Sequence, residues 1–250
     1  MLFDIGNTRL KWAVLEGGQI ARHGHIDHSV LKDRGFTALT RRVPAKVDYI
    51  LACNVAGPAF ATRLSGVIGI HCGTDVHFAR AEAKGYGVTN AYRQPRRLGV
   101  DRWVALVGAR AETRSAVCIV DAGTAVTIDA MDNKGQHLGG LIIPGWNMMP
   151  SALSTNTHGI RLPRRRGPGS RQGIEPFGRS TGEAVQNGAI SAICGAIERS
   201  AAALRSAGLR PRIVLTGGDA SRILKRLDGK ILHRPHLVLQ GLARMVQDKA

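Results

Sequence analysis

Two short stretches each gather a carboxylate, a glycine and hydrogen-bonding side chains within five residues. Asp4-Ile5-Gly6-Asn7-Thr8 follows the apolar pair Leu2-Phe3, and Asp121-Ala122-Gly123-Thr124 follows the apolar run Val117–Val120. Each has the pattern of a buried strand that delivers an acid to its end, turns on glycine and pairs back on itself, through Leu10–Leu15 and Ala125–Ala130 respectively. Glycine lets backbone come close to a ligand, and the exposed amides and the Thr124 hydroxyl can bond phosphate oxygens. An aspartate at the strand end can hold a cation beside that phosphate. One such turn says little, because any acidic hairpin can show it. Here the two aspartates are separated by nearly half of the 250 residues, and the sequence beyond each turn also matches. Glu16-Gly17-Gly18-Gln19 and Asp132-Asn133-Lys134-Gly135-Gln136 close the two hairpins, leading into third strands at Ile20–Ile26 and His137–Ile143. The repetition points to a duplicated phosphate-handling half.

Three further places carry candidate chemistry. Gly85–Arg102 reads as loop and lands on a helix starting near Leu98-Gly99, which puts Asp101 and Arg102 in its first turn. An acid there is stabilised by the helix dipole on a rigid element; a plain capping role fits the same position. Thr216-Gly217-Gly218 ends the buried strand Arg212–Thr216, and this glycine pair either lets a flat group such as a base or ribose approach the backbone or is simply a tight turn into a helix at Asp219–Leu227. Gly159–Gly173 carries five arginines and two prolines without an acid, and reads either as a lid over an anionic substrate or as a solvated surface loop.

The elements that must position these residues alternate between strand and helix, which indicates α/β architecture. Helices are expected over Val30–Arg42 with Ser29 as N-cap, from Pro58 to about Leu64, over Trp146–Leu153, from Ser180 to about Ala207, and over His236–Lys249. In the long helix Ser180 and Glu183 stand in capping-box spacing, and Gly188 and Gly195 suggest close packing against another element. Short strands are expected at Tyr49–Ala52 and Asp75–Ala79. The duplication divides the chain into halves, 1–115 and 116–250. With 44% hydrophobic but only 4% aromatic residues, the core is built from Val, Ile, Leu and Ala. No apolar run approaches the ~20 residues of a membrane span, and the first residues form a strand rather than a signal peptide, so a cytoplasmic location is expected. Cys53, Cys72, Cys118 and Cys194 stand singly without C-x-x-C spacing and read as buried reduced thiols. His23, His25 and His28 come nearest to a cluster but read as surface. The net charge of +17 suits anionic ligands and leaves nucleic acid open as a partner, although no nucleic-acid motif supports it. Neither the G-x-x-x-x-G-K-[ST] nor the G-x-G-x-x-G loop is present.

Taken together and in this order, the motifs resemble the type III pantothenate kinases of the actin-like ATPase and sugar-kinase superfamily. The resemblance rests on Asp4–Thr8 with Lys11-Trp12, Asn90-Ala91-Tyr92, Leu98-Gly99-Val100-Asp101-Arg102-Trp103, and Asp121–Ala125 with Thr127 and Asp129. It continues through Gly139-Gly140, Pro144-Gly145, Ser180-Thr181, Asn187-Gly188 and Thr216-Gly217-Gly218. It implies duplicated ribonuclease H-like halves with a central cleft, and ATP-dependent phosphorylation of pantothenate to 4'-phosphopantothenate, the first step of coenzyme A synthesis. By the same likeness, ATP phosphates are held by Asp4, Ile5, Gly6, Asn7, Thr8, Arg9, Leu10 and Lys11, with Thr124, Gly217 and Gly218 completing the nucleotide site. Asp4 would lie near Mg2+ or another divalent cation, and Asp121 would hold a monovalent cation, K+ or NH4+. Tyr92, Gly99, Val100, Asp101, Arg102 and Thr181 would contact pantothenate, with Asp101 as general base. A homodimer is expected on the same ground. Two departures from the family pattern stand out: the stretch Thr157–Pro163 is longer and basic, and the arginine-rich loop follows it. The alternatives are a non-catalytic, transcription-accessory relative associated with nucleic acid, and a kinase of the same superfamily for another small molecule.

Overall fold

The computed structural model describes residues 1–160 and 176–248. β1 (Leu2–Ile5), β2 (Arg9–Glu16) and β3 (Gln19–Asp27) form an antiparallel meander, with Asp4 directly across from Lys11. Two short helices, α1 (His28–Arg34) and α2 (Thr37–Thr40), lead to β4 (Ile50–Asn54), which lies parallel to β1. Helix α3 (Pro58–Cys72) returns the chain to β5 (Val76–Phe78), parallel to β4, so the sheet order is β3-β2-β1-β4-β5. β1 is central and apolar on both faces: Leu2, Phe3 and Ile5 are fully buried, as a strand flanked by parallel and antiparallel neighbours requires. Next come the small hairpin β6 (Lys84–Gly85) and β7 (Val88–Thr89), a 3-10 turn at Pro95–Arg97, and helix α4 (Val100–Glu112).

The second sheet repeats the first. β8 (Val117–Ala122), β9 (Ala125–Met131) and β10 (His137–Pro144) are followed by α5 (Met148–Asn156) and α6 (Thr181–Ser206). β11 (Arg212–Thr216) then pairs parallel with β8; after α7 (Ala220–Leu224), β12 (Ile231–His233) pairs parallel with β11, and α8 (Leu237–Gln247) completes the described chain. The order β10-β9-β8-β11-β12 matches that of the first sheet strand for strand. The duplication read from two short motifs is therefore a duplication of topology.

Contacts group the chain into two compact units: Met1–Arg114 with Met131–Gly139 and His236–Ala250, and Ser115–Ala130 with Gly140–Pro235. In the first, Phe3, Ile5, Leu10, Leu39, Leu64 and Ile68 form a core. In the second, Val120, Ile128, Ile193, Ile197, Leu215 and Ile223 do the same. Within the first unit α8 crosses α4 at two glycines. A Cβ on Gly108 would stand 2.5 Å from the Leu237 carbonyl oxygen, and one on Gly241 would collide with the Val104 carbonyl oxygen. Val104 and Gly108, like Leu237 and Gly241, are four residues apart, so each pair stacks on one helix face.

Several expected boundaries move. The helix expected over Val30–Arg42 is broken at Gly35, whose φ of 72° leaves the helical region, and Asp27 rather than Ser29 stands at the N-cap. Helix α3 runs well past Leu64 and stops where Gly73 turns left-handed. The β6–β7 hairpin overlaps the start of a stretch read mostly as loop, and β12 was not expected. Among the described residues nothing lies within 4 Å of a Cβ built at Gly188 or Gly195, so neither marks a close helix contact there. The helix after Gly217-Gly218 is shorter than expected. All four cysteines are free and buried, and burial, with Asp129 adding to it, pushes the Cys118 thiol up to about 12. The arginine-rich stretch 161–173 lies outside the described residues.

Candidate functional site

In the first unit, the turn after β1 closes with the Gly6 amide donating to the Arg9 carbonyl at 3.1 Å. Lys11 Nζ lies 4.0 Å from Asp4 Oδ2, both side chains largely sheltered, so cross-strand register places a cation beside the acid. Arg9 points elsewhere: its Nε donates to Asp27 Oδ1 at 2.7 Å and holds that carboxyl below its ordinary range. His28 supports the turn from below. Its amide donates to the Thr8 carbonyl at 2.9 Å, and its ring stacks on Phe60 at 4.7 Å. Burial lowers the His28 pKa, against a smaller opposing contribution from the Asn7 backbone.

The second unit holds the counterpart turn, one residue tighter. The Gly123 amide donates to the Ala125 carbonyl at 3.1 Å, and a Cβ on Gly123 would lie 3.6 Å from Asp121 Oδ1. Two other segments press on this turn. Gly145, after β10, donates its amide to the Thr124 carbonyl at 3.0 Å, and any side chain there would collide with the Thr124 oxygen. Gly217, with φ of 98°, packs so closely that a Cβ would collide with the Ala122 oxygen. Asp121, Thr124, Gly217 and Gly218 thus come together around one backbone crossing. The supporting bond also repeats between units: the Val55 amide donates to the Ile5 carbonyl and the Asp219 amide to the Ala122 carbonyl, each at 3.0 Å. Beside Gly217-Gly218, Arg222 reaches 3.4 Å from Asp219 and lies 4.3 Å above the Trp146 ring centre.

The N-terminus of α4, in the first unit, gathers the third group. Asp101 Oδ1 accepts from the Arg102 amide at 2.8 Å, and a Cβ on Gly99 would lie 2.7 Å from that oxygen, so glycine leaves the carboxylate its room. Trp103, fully buried, anchors the helix start. Arg102 is only 5% exposed, and its guanidinium donates to the Tyr92 hydroxyl at 2.9 Å while lying 5.7 Å from that ring's centre. Asn90 shapes the preceding loop: its amide group donates to the Glu82 and Pro95 carbonyls at 3.1 and 3.2 Å, and its oxygen accepts from the Tyr92 amide at 3.0 Å. His137, buried at the start of β10, stacks near-parallel to Tyr92 with ring centres 6.1 Å apart.

Tyr92, Gly99, Val100, Asp101 and Arg102 thus stand together at the start of α4. Thr181 belongs to the second unit. It opens α6, where Ser180 Oγ accepts from the Glu183 amide at 3.2 Å, and it lines a cavity of about 820 Å3 with Met149, Leu153 and Val185. The Glu183 carboxylate accepts from the Arg179 amide at 2.8 Å, completing the cap. The positioning roles of Asn90, His137, Gly145 and His28 were not assigned from the sequence. His137 is the hardest of these, since nothing in a strand's first residue announces a ring partner 45 positions earlier. Among the described residues, no group of three His, Cys, Asp or Glu side chains is arranged as a metal cage, and none of the helices is long and apolar enough to cross a membrane.

The family model for type III pantothenate kinase matches residues 1–203. A type III pantothenate kinase of Nitrosococcus oceani is 39% identical over 264 residues, covering 99% of this chain and 94% of its own length. One from Thiobacillus denitrificans is 36% identical over 248 residues, covering 99% and 96%. Among solved structures, a Baf family protein from Campylobacter jejuni aligns over 99% of this chain and 98% of its own, with a TM-score of 0.61 at 20% identity. A Sinorhizobium meliloti protein named for 2-dehydro-3-deoxygalactonokinase gives 0.59 at 12%, over 99% and 98%. At those identities the structural likeness speaks for the fold alone, and together with the repeated sheet order it makes this a duplicated ribonuclease H-like fold of the actin-like ATPase and sugar-kinase kind.

Proposed function

The chain belongs to the type III pantothenate kinase family, and from that premise we propose how its own residues carry the reaction. The activity is phosphorylation of pantothenate by ATP to give 4'-phosphopantothenate and ADP, which opens coenzyme A synthesis. The halves 1–115 and 116–250 each supply one phosphate turn. In the first unit, Asp4–Lys11 binds the ATP phosphates through the amides of the turn and the Lys11 ammonium; in the second, Thr124, Gly217 and Gly218 are the nucleotide-binding residues. Mg2+ is commonly held by one or two carboxylates together with substrate phosphates, which suits Asp4; Asp121 would hold a monovalent cation, K+ or NH4+. Bound cations supply neutralisation of charge on the phosphoryl group.

Pantothenate binds at Tyr92 and Gly99–Arg102, with Thr181 as a further contact. The planar Arg102 fork suits a carboxylate, and the Tyr92 hydroxyl fixes that fork before substrate arrives. Asp101 accepts the proton of the terminal hydroxyl as its oxygen bonds to the γ-phosphorus, and the bond to the ADP oxygen breaks. The observation that carries this reading is the Asp101–Arg102–Tyr92 arrangement at the start of α4, where an acceptor carboxylate and a pre-set guanidinium stand on adjacent residues. Support for a homodimer comes from β10, an edge strand that exposes Leu138, Leu141 and Ile142, a combination that favours pairing with another chain.

The test is ADP release by the purified protein with Mg2+, with and without pantothenate, in potassium and then sodium buffer. Pantothenate-dependent release is expected, with loss of rate in sodium. Equal release without pantothenate would overturn the substrate assignment, and equal rates in both salts would remove the cation from Asp121.

A further inference from the structure

At the other end of α4, well away from Asp101, a cavity of about 290 Å3 is lined by Tyr86, Gly87, Arg110, Arg114, Arg244 and Asp248. Arg110 is nine residues beyond Asp101, about 13 Å along the helix at 1.5 Å per residue. Three guanidiniums face one carboxylate here. Asp248 is already engaged by Arg244, at 2.6 Å, so the lining residues carry two positive charges more than negative ones.

What separates this cluster from scattered surface arginine is Arg110. Its side chain is buried at 8% exposure; one terminal nitrogen donates to the Asn133 carbonyl at 2.9 Å, yet its Nε is buried with no hydrogen-bond partner. Burying a charged donor without a partner is costly unless a counter-charge completes it. Burial, and then the neighbouring Arg114, pull the Arg110 pKa down, against a smaller opposing contribution from Asp132. Gly87 makes the room: its missing Cβ would meet Arg110 Cγ at 3.4 Å and an Arg114 terminal nitrogen at 3.5 Å.

The turn that packs against these arginines is held under strain. Tyr86 has φ of 55°, the one positive value among described non-glycine residues, and with Gly87 at 76° it forms the two-residue β6–β7 turn. Asparagine or glycine takes that position without penalty; a tyrosine there is a costly choice. Its placement makes the ring part of the cavity. Burial and the nearby Glu82 and Asp248 carboxylates keep its phenol protonated and thus able to donate.

We infer that this cavity binds a phosphate dianion, either inorganic phosphate or the terminal group of a small phosphomonoester, at a site separate from the two phosphate turns. The excess of arginine over carboxylate among the lining residues favours an anion, guanidinium forks match phosphate oxygens, and the volume, at the small end for ligand pockets, suits such a group better than a whole nucleotide. The inference does not depend on the kinase roles assigned above.

The experiment is calorimetric titration of the full chain with sodium phosphate, and in parallel with glycerol phosphate, at fixed ionic strength set with chloride. The wild type, Arg114→Ser, Arg110→Met and Lys11→Ala are compared. Arg114 is exposed, so its replacement spares the fold and decides the matter if Arg110→Met does not fold. Saturable binding to the wild type is expected, weakened at least tenfold by Arg114→Ser, abolished by Arg110→Met and retained in Lys11→Ala. Kinase turnover of Arg114→Ser at saturating substrates should match wild type. The tighter of the two anions identifies the source of the phosphate. No saturable binding, an unchanged Kd in Arg114→Ser, or loss confined to Lys11→Ala would each overturn the site.

Discussion

The Arg102 guanidinium donates to the Tyr92 hydroxyl at 2.9 Å while lying 5.7 Å from the centre of the same ring. One tyrosine therefore fixes both the tilt and the in-plane rotation of a buried cation. Arg102→Lys keeps the charge but loses the fork, and hydrogen bonds to charged groups contribute about 1.5–3 kcal/mol. The KM for pantothenate should rise by roughly one to two orders of magnitude, with the KM for ATP unchanged. Steady-state kinetics in both substrates check this; a rise in the ATP term alone would contradict it.

Replacing Asp101 by asparagine keeps shape and removes the proton acceptor. General-base contributions are typically about 10²–10⁴-fold, so kcat should drop within that range while nucleotide titration still shows binding. Activity within a few-fold of wild type would take the general-base role away from Asp101.

Two glycine-to-alanine changes should move stability in opposite directions. Gly145→Ala drives a methyl into the Thr124 carbonyl oxygen, and overpacking of this kind costs about 1–3 kcal/mol; weaker ATP binding should accompany the lower melting temperature because the turn at 121–124 must shift. Gly188→Ala on α6 meets nothing within 4 Å among the described residues and should stabilise by roughly 0.5–1 kcal/mol through helix propensity. Melting curves for the two variants side by side provide the check.

Acid should weaken the fold through its half-buried histidines. His28 is depressed by burial, and His236 by burial followed by His23 and Lys11. Both therefore bind a proton less readily folded than unfolded, so the stability they contribute is complete above about pH 6.5, the unfolded value, and is lost as pH falls through the lowered folded values. The thermal midpoint should decline from pH 7 toward pH 5, with a shallower slope in His28→Phe, which retains the stack on Phe60. An unchanged slope in that variant would remove His28 as a contributor.

Much of this architecture can be read in the chain because it is written in local terms. Asp4, Gly6, Asp121 and Gly123 sit at strand ends flanked by alternating apolar residues, and a two-residue period with a glycine turn leaves few other structures open. Ser180 and Glu183 announce their cap by spacing alone. What escapes reading depends on distant partners. His137 matters because of Tyr92, Gly145 because of the Thr124 carbonyl, and Gly241 because of Val104. The Gly188 and Gly195 expectation fails for the same reason reversed: a small residue on a helix permits close approach, but only a neighbour makes use of it. Gly35 interrupts a periodic run because a single positive φ outweighs the amphipathic pattern around it.

The nesting of the two units has a consequence for how the protein is made. Residues Ser115–Ala130 and Gly140–Pro235 are threaded into a unit whose closing helix is α8, and the groove on α4 that Gly108 opens is filled by the backbone around Leu237 and Gly241. During vectorial synthesis the elements of the first unit therefore emerge on both sides of those of the second. The ribosome must release residues up to about 247 before α4 gains its cover, while the inserted unit has all its strands in hand once β12 emerges. A nascent chain stalled between β12 and α8 would leave that groove on α4 uncovered, an open surface of the kind a chaperone meets.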